Sequence, residues 1–487
     1  MFRAIRFLWK MVKWALLVAV ALFVLVVLIN LRDEPLSDEA RALLETKPIT
    51  VPDNENIFVA MAGFDAPEGG DIFEYGRKHI EESEKRLVGD PSGRKALFES
   101  LKKPESPDSH EDKKELRWQE ASPRFDCQLD KETNFLECAR SQKDRLNATL
   151  AANETLIQRY HLLQELPHYV VPQNPNVWLT SGFSKTGNVR KTLLAQALLN
   201  MESKDAKIVK DGLTFFKKDM ALWRRILERK NFLIDSMVAT AQITNNVSGL
   251  SLLLSSPSTK VEKYAAEWRE LLAPLSHEQS RSRPAIEREI KLIHLSSPGW
   301  KEGISYQDAK IYSEAMKKTD FACPAWQWWL EQNVRTFFFQ PNATFNYSVP
   351  IFEAWLKLSD LSWKDYLVQR DAVLTPLYDL SDPSIGWIYN PVGKDYSKYP
   401  YLYDDYVGRL HDLDTYLRLV RLQLELRLAK IPSDEIPAFI EHLDEPYCAP
   451  CSDFSWVAET RMLSFQPYAK HGLSRQTPPS VYVPEAR

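Results

Sequence analysis

The sequence predicts a mainly α-helical protein with a single N-terminal transmembrane helix, a large extracytoplasmic helical bundle and a small β-hairpin near the C-terminus. Three observations carry this expectation. Only 16 of the 487 residues are glycine, about 3% against a usual ~7%, whereas sheet-rich nucleotide-binding folds use glycine for tight turns and phosphate approach. One apolar run near the start is long enough to cross a bilayer. In the body, apolar residues recur at spacings of three and four, as on a helix packed against neighbours. With 44% apolar and 26% charged residues, the composition excludes a wholly disordered or collagen-like chain. The net charge of −4, from 62 basic and 66 acidic residues, leaves no electrostatic footprint for nucleic acid.

The first element is the apolar run. Residues 14–29 are apolar without interruption, and residues 11–31 as a helix are about 30 Å long, the thickness of a bilayer core. Arg3, Arg6, Lys10 and Lys13 precede it with no acid, and Arg32, Asp33 and Glu34 follow. The positive-inside rule then makes residues 1–10 a cytoplasmic tail and places everything after residue 31 outside the inner (plasma) membrane, in the periplasm or another extracytoplasmic space. A cleaved signal peptide would have a shorter apolar region ending in small residues. This run ends Val27-Leu28-Ile29-Asn30-Leu31, so the expectation is an uncleaved signal anchor, with Trp9 and Trp14 in the interfacial belt. Sequons at Asn147, Asn153, Asn246, Asn342 and Asn346 would matter only in a eukaryotic lumen. A bacterial envelope is the expected setting.

Residues 32–121 read as a stem, with short helices over 37–45, 56–64 and 71–87 and a charged, proline-containing tract from Leu101. Residues 122–298 read as a helical domain with helices over 137–166, 188–203, 205–229, 231–255, 258–273 and 282–294. Short connections favour antiparallel neighbours. Within it, Leu213, Phe216, Met220, Trp223 and Leu227 form one stripe. Residues 299–466 read as an aromatic-rich helical domain with a long helix over 401–430, whose buried face is Leu410, Leu413, Leu417, Val420 and Leu424. A hairpin is expected over 454–465, and residues 467–487 as a loose tail.

An extracytoplasmic setting permits disulfides. Cys127 and Cys138 flank a polar turn that can bring them together, so that pair is expected to be bonded. Cys448-Ala-Pro-Cys451 has the letters of a redox motif but not the strand before it or the βαβ context, and reads as a local structural disulfide. Cys323 is left as a buried thiol. A zinc site would need a second Cys/His pair, and none has suitable spacing.

No motif for catalysis is complete. Gly182-Phe-Ser-Lys-Thr-Gly187 has P-loop glycine spacing without the following Lys-Ser/Thr, and reads as a turn with Asn188 capping the next helix. Glu202-Ser203 resembles the catalytic pair of lytic transglycosylases, in which one carboxyl protonates a glycosidic oxygen. The glycine-rich segment expected after it is missing. Asp412-Leu-Asp414 resembles the metal-holding Asp-x-Asp of membrane-anchored glycosyltransferases, but it falls inside a helix. There His411, Asp414, Arg418, Arg421 and Glu425 read as a solvated face of i,i+4 ion pairs. Tyr403, with Trp387, Tyr399, Asp405 and Arg409, forms a candidate binding surface for proteins or sugar rings. The functional expectation is an interaction or assembly module of the cell envelope, with envelope proteins as partners and glycans as a further ligand class. The alternative is a glycan-directed envelope enzyme using carboxylates between Asp404 and Asp414. Neither a cofactor nor a metal is expected.

Overall fold

The computed structural model describes residues 2–45, 49–89, 115–120, 122–127, 135–171, 182–229, 232–300, 306–316, 323–379, 388–396, 403–441, 454–469 and 479–485. It is mainly helical, with a small three-stranded sheet near the C-terminus. The chain forms two compact units, one from Met1–Lys47, Lys85–Ser109 and Glu289–Pro400, the other from Pro48–Glu84, His110–Arg288 and Tyr401–Arg487. Each is assembled from separated segments, where the sequence reading divided the chain linearly.

In the first unit, the apolar run is the helix Phe2–Ile29. Its stretch Trp9–Ile29, 21 residues with a mean hydropathy of 2.9 and no residue buried, is long and apolar enough to cross a membrane. After it comes the helix Asp38–Leu44, begun by the Ser37 hydroxyl, which accepts from the Ala40 N–H at 3.1 Å. This short helix packs on Pro341–Ser359, which in turn packs on Trp363–Asp379 and Pro391–Tyr396. Proline at the first position of Pro341–Ser359 suits a helix start, where its missing N–H has no intrahelical role. Phe345 stacks between His294 and Phe352, at centroid distances of 4.9 and 5.4 Å. Tyr306–Met316 pairs with Ala325–Phe337.

The second unit is built around Gly182–Met201, Ala206–Glu228, Leu233–Ser255 and Asp404–Ala429, each packed on the next. Asp205 caps Ala206–Glu228 by accepting from the Lys207 N–H at 2.8 Å, and Leu213, Phe216, Met220, Trp223 and Leu227 are all buried as their spacing requires. Burial of each such side chain contributes roughly 1.5–3 kcal/mol. The long C-terminal helix buries Leu410, Leu413, Leu417, Val420 and Leu424 and ends at Lys430 in the left-handed conformation, φ 54°.

Four local expectations are corrected. The single helix expected over 137–166 is three, Phe135–Ser141, Lys143–Ala152 and Glu154–Glu165. At each break an amide side chain holds an upstream segment: Gln142 bonds Asp126 at 2.7 Å and Asn153 bonds the Gln119 carbonyl and N–H at 2.6 and 2.9 Å. The P-loop-like segment is not a turn capped by Asn188 but the first two turns of Gly182–Met201. There Lys185 pairs with Asp65 at 2.7 Å, and Asn188 is mid-helix, its carbonyl accepting from Thr192. Residues 57–62, expected in a stem, form a helix buried along its whole length. It crosses Ile72–Gly89 so closely that a Cβ at Gly76 would lie 2.0 Å from the Val59 carbonyl oxygen and one at Gly63 1.9 Å from that of Ile72. Finally, the tail is not loose throughout. The expected hairpin is β1 (Phe454–Val457) with β2 (Met462–Phe465), and Ser480–Tyr482 adds β3 antiparallel to β2, Val481 facing Leu463 and both buried.

Candidate functional site

The acidic stretch of the Asp404–Ala429 helix was the first candidate. Asp405 pairs with Arg409 at 2.5 Å, and the Arg409 guanidinium lies over the Tyr406 ring. Tyr403 is buried at the start of the helix. Trp387 and Tyr399, the other members of the expected binding surface, lie outside the described residues, as do Cys448 and Cys451; of Asp404 only the backbone is described.

The remaining acids are each held inside the fold. Asp412 is buried and accepts from the backbone N–H groups of Tyr468 and Ala469, at 2.8 and 3.0 Å, tying the segment after β2 to the helix. Burial pushes its carboxyl up to about 6 against the pull of those two donors. His411 is driven the other way, down to about 3, by burial and by the positive charge of Arg418. The two are neighbours in sequence but face different partners, His411 meeting the Thr415 hydroxyl at 3.3 Å. Asp414 accepts from Arg418 at 2.8 Å and from the Leu275 N–H at 2.7 Å.

The expected i,i+4 pairs of this stripe are present, but the stripe is a seam rather than a solvated face. Arg421 and Glu425 pair at 2.9 Å with only 18% and 14% of their side chains exposed. Arg269 forks onto the same Glu425 carboxylate at 2.9 and 2.8 Å, which holds that carboxyl below its usual range despite its burial. Glu202 is likewise occupied: Arg140 grips both its oxygens at 3.0 and 2.9 Å, and Ser256 and Ser258 donate to it. Among the described residues, no three His, Cys, Asp or Glu side chains are grouped to hold a metal ion. Cys127 and Cys138 stand at disulfide distance, 2.05 Å between sulfurs.

Two polar constellations were not visible in the sequence. In the second unit, Asp219 is completely buried and accepts from the Tyr160 hydroxyl at 2.5 Å, Arg190 Nε at 2.9 Å and Asn246 Nδ2 at 2.8 Å. The other Arg190 nitrogens donate to the Gln242 side chain and carbonyl and to Asn246 Oδ1, at 2.5, 2.7 and 2.8 Å. Four helices thus meet at one ion pair. Both oxygens of Asp219 are used by partners within the fold, so the arrangement ties the four helices together.

In the first unit, the end of the apolar helix is clamped. Asn30, 2% exposed, donates through Nδ2 to the carbonyls of Val26 and Ile388 at 2.9 and 2.8 Å, and its Oδ1 accepts from the Asn390 N–H at 2.8 Å. Gln340 Nε2 donates to the Asn30 carbonyl at 2.5 Å, while the Gln340 N–H is held by Asn390 Oδ1 at 2.9 Å. Asn390 adopts φ 53°, a conformation that asparagine tolerates better than most residues. Asp33 then caps Pro341–Ser359, accepting from the N–H groups of Asn342 and Ala343 at 2.9 and 3.1 Å. Asn346 donates to Glu34 Oε1 and the Pro35 carbonyl at 2.8 and 3.0 Å and accepts from the Ser37 N–H at 2.9 Å.

The only sequence signal for this clamp was a polar residue closing the apolar run. Apart from the Val26 carbonyl, the partners of Asn30 and of the segment after it lie more than 300 positions away, and two of them, Asn342 and Asn346, read as sequons. Their amides are engaged in the fold, as are those of Asn153 and Asn246. Compared with protein-family models, curated proteins and solved structures, the chain finds no match.

Proposed function

We propose that the protein is a single-pass, signal-anchored inner-membrane protein, N-terminus in the cytoplasm, whose helical body acts in the periplasm as an interaction or assembly module of the cell envelope. The observation that carries this reading is the buried Asn30. A leader peptide is removed from the mature protein, whereas Asn30, which directly follows this apolar helix, is a hydrogen-bonding hub of a folded unit, with Asp33 capping one of that unit's own helices. Removal of the chain through Asn30 would take away the acceptor of Gln340 Nε2 and of the Asn390 N–H inside the fold. The basic residues Arg3, Arg6, Lys10 and Lys13 on the short side give the orientation, and the Cys127–Cys138 pair suits an oxidising compartment. The glycan-directed enzyme has less to recommend it, since Asp405, Asp412 and Asp414 each serve a partner within the fold.

Alkaline phosphatase fused after residue 487 is expected to be active, with an N-terminal epitope tag retained on the full-length band. An inactive fusion overturns the orientation, and loss of the tag overturns the anchor. Crosslinking in intact cells followed by co-purification is expected to recover envelope proteins; a solitary monomer would sink the assembly role.

A further inference from the structure

Among the described tryptophans, the exposed ones are Trp9 and Trp14 on the apolar helix, at 62% and 68%, and Trp326 and Trp329 on Ala325–Phe337, at 58% and 39%. The latter helix also exposes Leu330 and Val334, at 48% and 47%. At 100° per residue, positions 326, 329, 330 and 334 fall within about 140° of arc, one face of the helix. The ion pair Glu331–Arg335 lies outside that arc. The first unit also exposes Leu367 and Val368 on Trp363–Asp379, and in the second unit the exposed residues Ile49, Leu162, Ile208 and Ile234 lie on separate segments, as on any soluble surface.

The place of this face in the first unit says what covers it. Ala325–Phe337 ends three residues before Gln340, the residue that bonds the Asn30 carbonyl where the apolar helix ends. Thirteen residues of helix span about 20 Å and the three residues on to Gln340 reach at most about 10 Å more, so the whole stripe lies within roughly 35 Å of the membrane exit. Also at the helix end is Ile388, whose carbonyl accepts from Asn30 and whose side chain is 41% exposed. Indole rings favour the headgroup boundary, with an apolar body and one N–H donor, and a short amphipathic helix with Trp and Leu on one face is the form that lies in that plane.

We infer that the Trp326–Trp329–Leu330–Val334 face of Ala325–Phe337 rests in the outer boundary of the bilayer beside the anchor. The occupant is the lipid surface, and the unit is thereby held against the membrane rather than swinging on one helix. The inference depends on the anchor reading above.

The test uses the full chain reconstituted in phosphatidylcholine vesicles containing brominated lipid, which quenches nearby indoles. Trp326→Phe/Trp329→Phe is expected to remove roughly half of the lipid-quenchable emission, and Trp9→Phe/Trp14→Phe the other half. Both variants keep an aromatic ring at exposed positions, so unchanged circular dichroism serves as the folding control. If the first variant leaves the quenchable emission unchanged while the second abolishes it, the anchor stands and the inference fails. If the unsubstituted chain shows no lipid quenching at all, the anchor reading fails with it. A face covered by a second copy or a protein partner would give the first of these failures.

Discussion

The Asp219 centre of one unit and the Asn30 clamp of the other are both buried polar networks, yet they use different chemistry. Asp219 and Arg190 carry full charges into a fully enclosed core, where every lone pair and N–H must be matched within the protein. The Asn30 clamp is made of neutral amides and carbonyls at its buried centre, and its carboxylates, Asp33 and Glu34, come only toward the exposed side. Amides cost far less to desolvate than ions. A joint at the root of an apolar helix can therefore be rigid without burying a charge at its centre.

The comparison can be broken at several points. The largest effect is expected at the charged centre: Asp219→Ala leaves the Arg190 guanidinium buried without its counter-ion and should cost about 3–5 kcal/mol in denaturant unfolding followed by far-UV circular dichroism. A wild-type unfolding curve would show that the centre is dispensable. Gly76→Ala tests a purely steric joint in the same unit. Its Cβ would overlap the Val59 carbonyl, and a loss of about 1–3 kcal/mol is expected by the same measurement.

Asn30→Ala is expected to cost less, about 1–3 kcal/mol, because the groups it orphans are neutral. Its signature is local. Amide exchange should rise over residues 388–394 and at Asn342 while the Ala206–Glu228 helix stays protected, and exchange rising everywhere would mean that the clamp is not a separate joint.

The smallest effect is a slope. Between about pH 4 and 6 the folded chain holds a proton on Asp412 that the unfolded chain lacks, so this group's contribution to stability falls as pH rises. Over the same range the unfolded chain binds a proton on His411 that the folded chain refuses, so that group's contribution rises with pH. The two slopes oppose, each at most about 1.4 kcal/mol per pH unit. His411→Gln should therefore make the protein lose stability as pH rises from 4 to 6, and Asp412→Asn should make it lose stability as pH falls. Parallel curves for the two variants would show that one of the groups is not buried as described.

Much of the local structure was legible. The stripe of Ala206–Glu228, the run of leucines after Leu410 and the hairpin around residue 459 all follow from periodicity and turn chemistry over a few neighbouring residues. Where the expectations failed, a distant partner had outweighed a local preference. At the breaks, the side chains of Gln142 and Asn153 bond Asp126 and Gln119, far upstream in sequence. Residues 56–66 looked like part of a stem, yet Arg159 gathers the carbonyls of Phe64, Ala66 and Pro67 at 2.8, 2.6 and 3.0 Å. The stripe His411–Glu425 looked solvated because its i,i+4 pairs are self-sufficient, and only Arg269 and Leu275 reveal it as a seam. Ser480–Tyr482, three residues following a proline pair, is too short to announce a strand without β2 beside it.

The sequence by itself determined the helical class, the apolar N-terminal helix and the faces that must be buried, because periodicity, length and charge asymmetry act along the chain. Tertiary structure alone decided that the end of that helix belongs to a folded unit, and that Asp412, Asp414 and Glu425 each meet a partner within the fold. It also decided which tryptophans remain at the surface. Each of those outcomes rests on a hydrogen bond or a packing contact between residues far apart in sequence, and such a contact leaves no pattern in either segment alone.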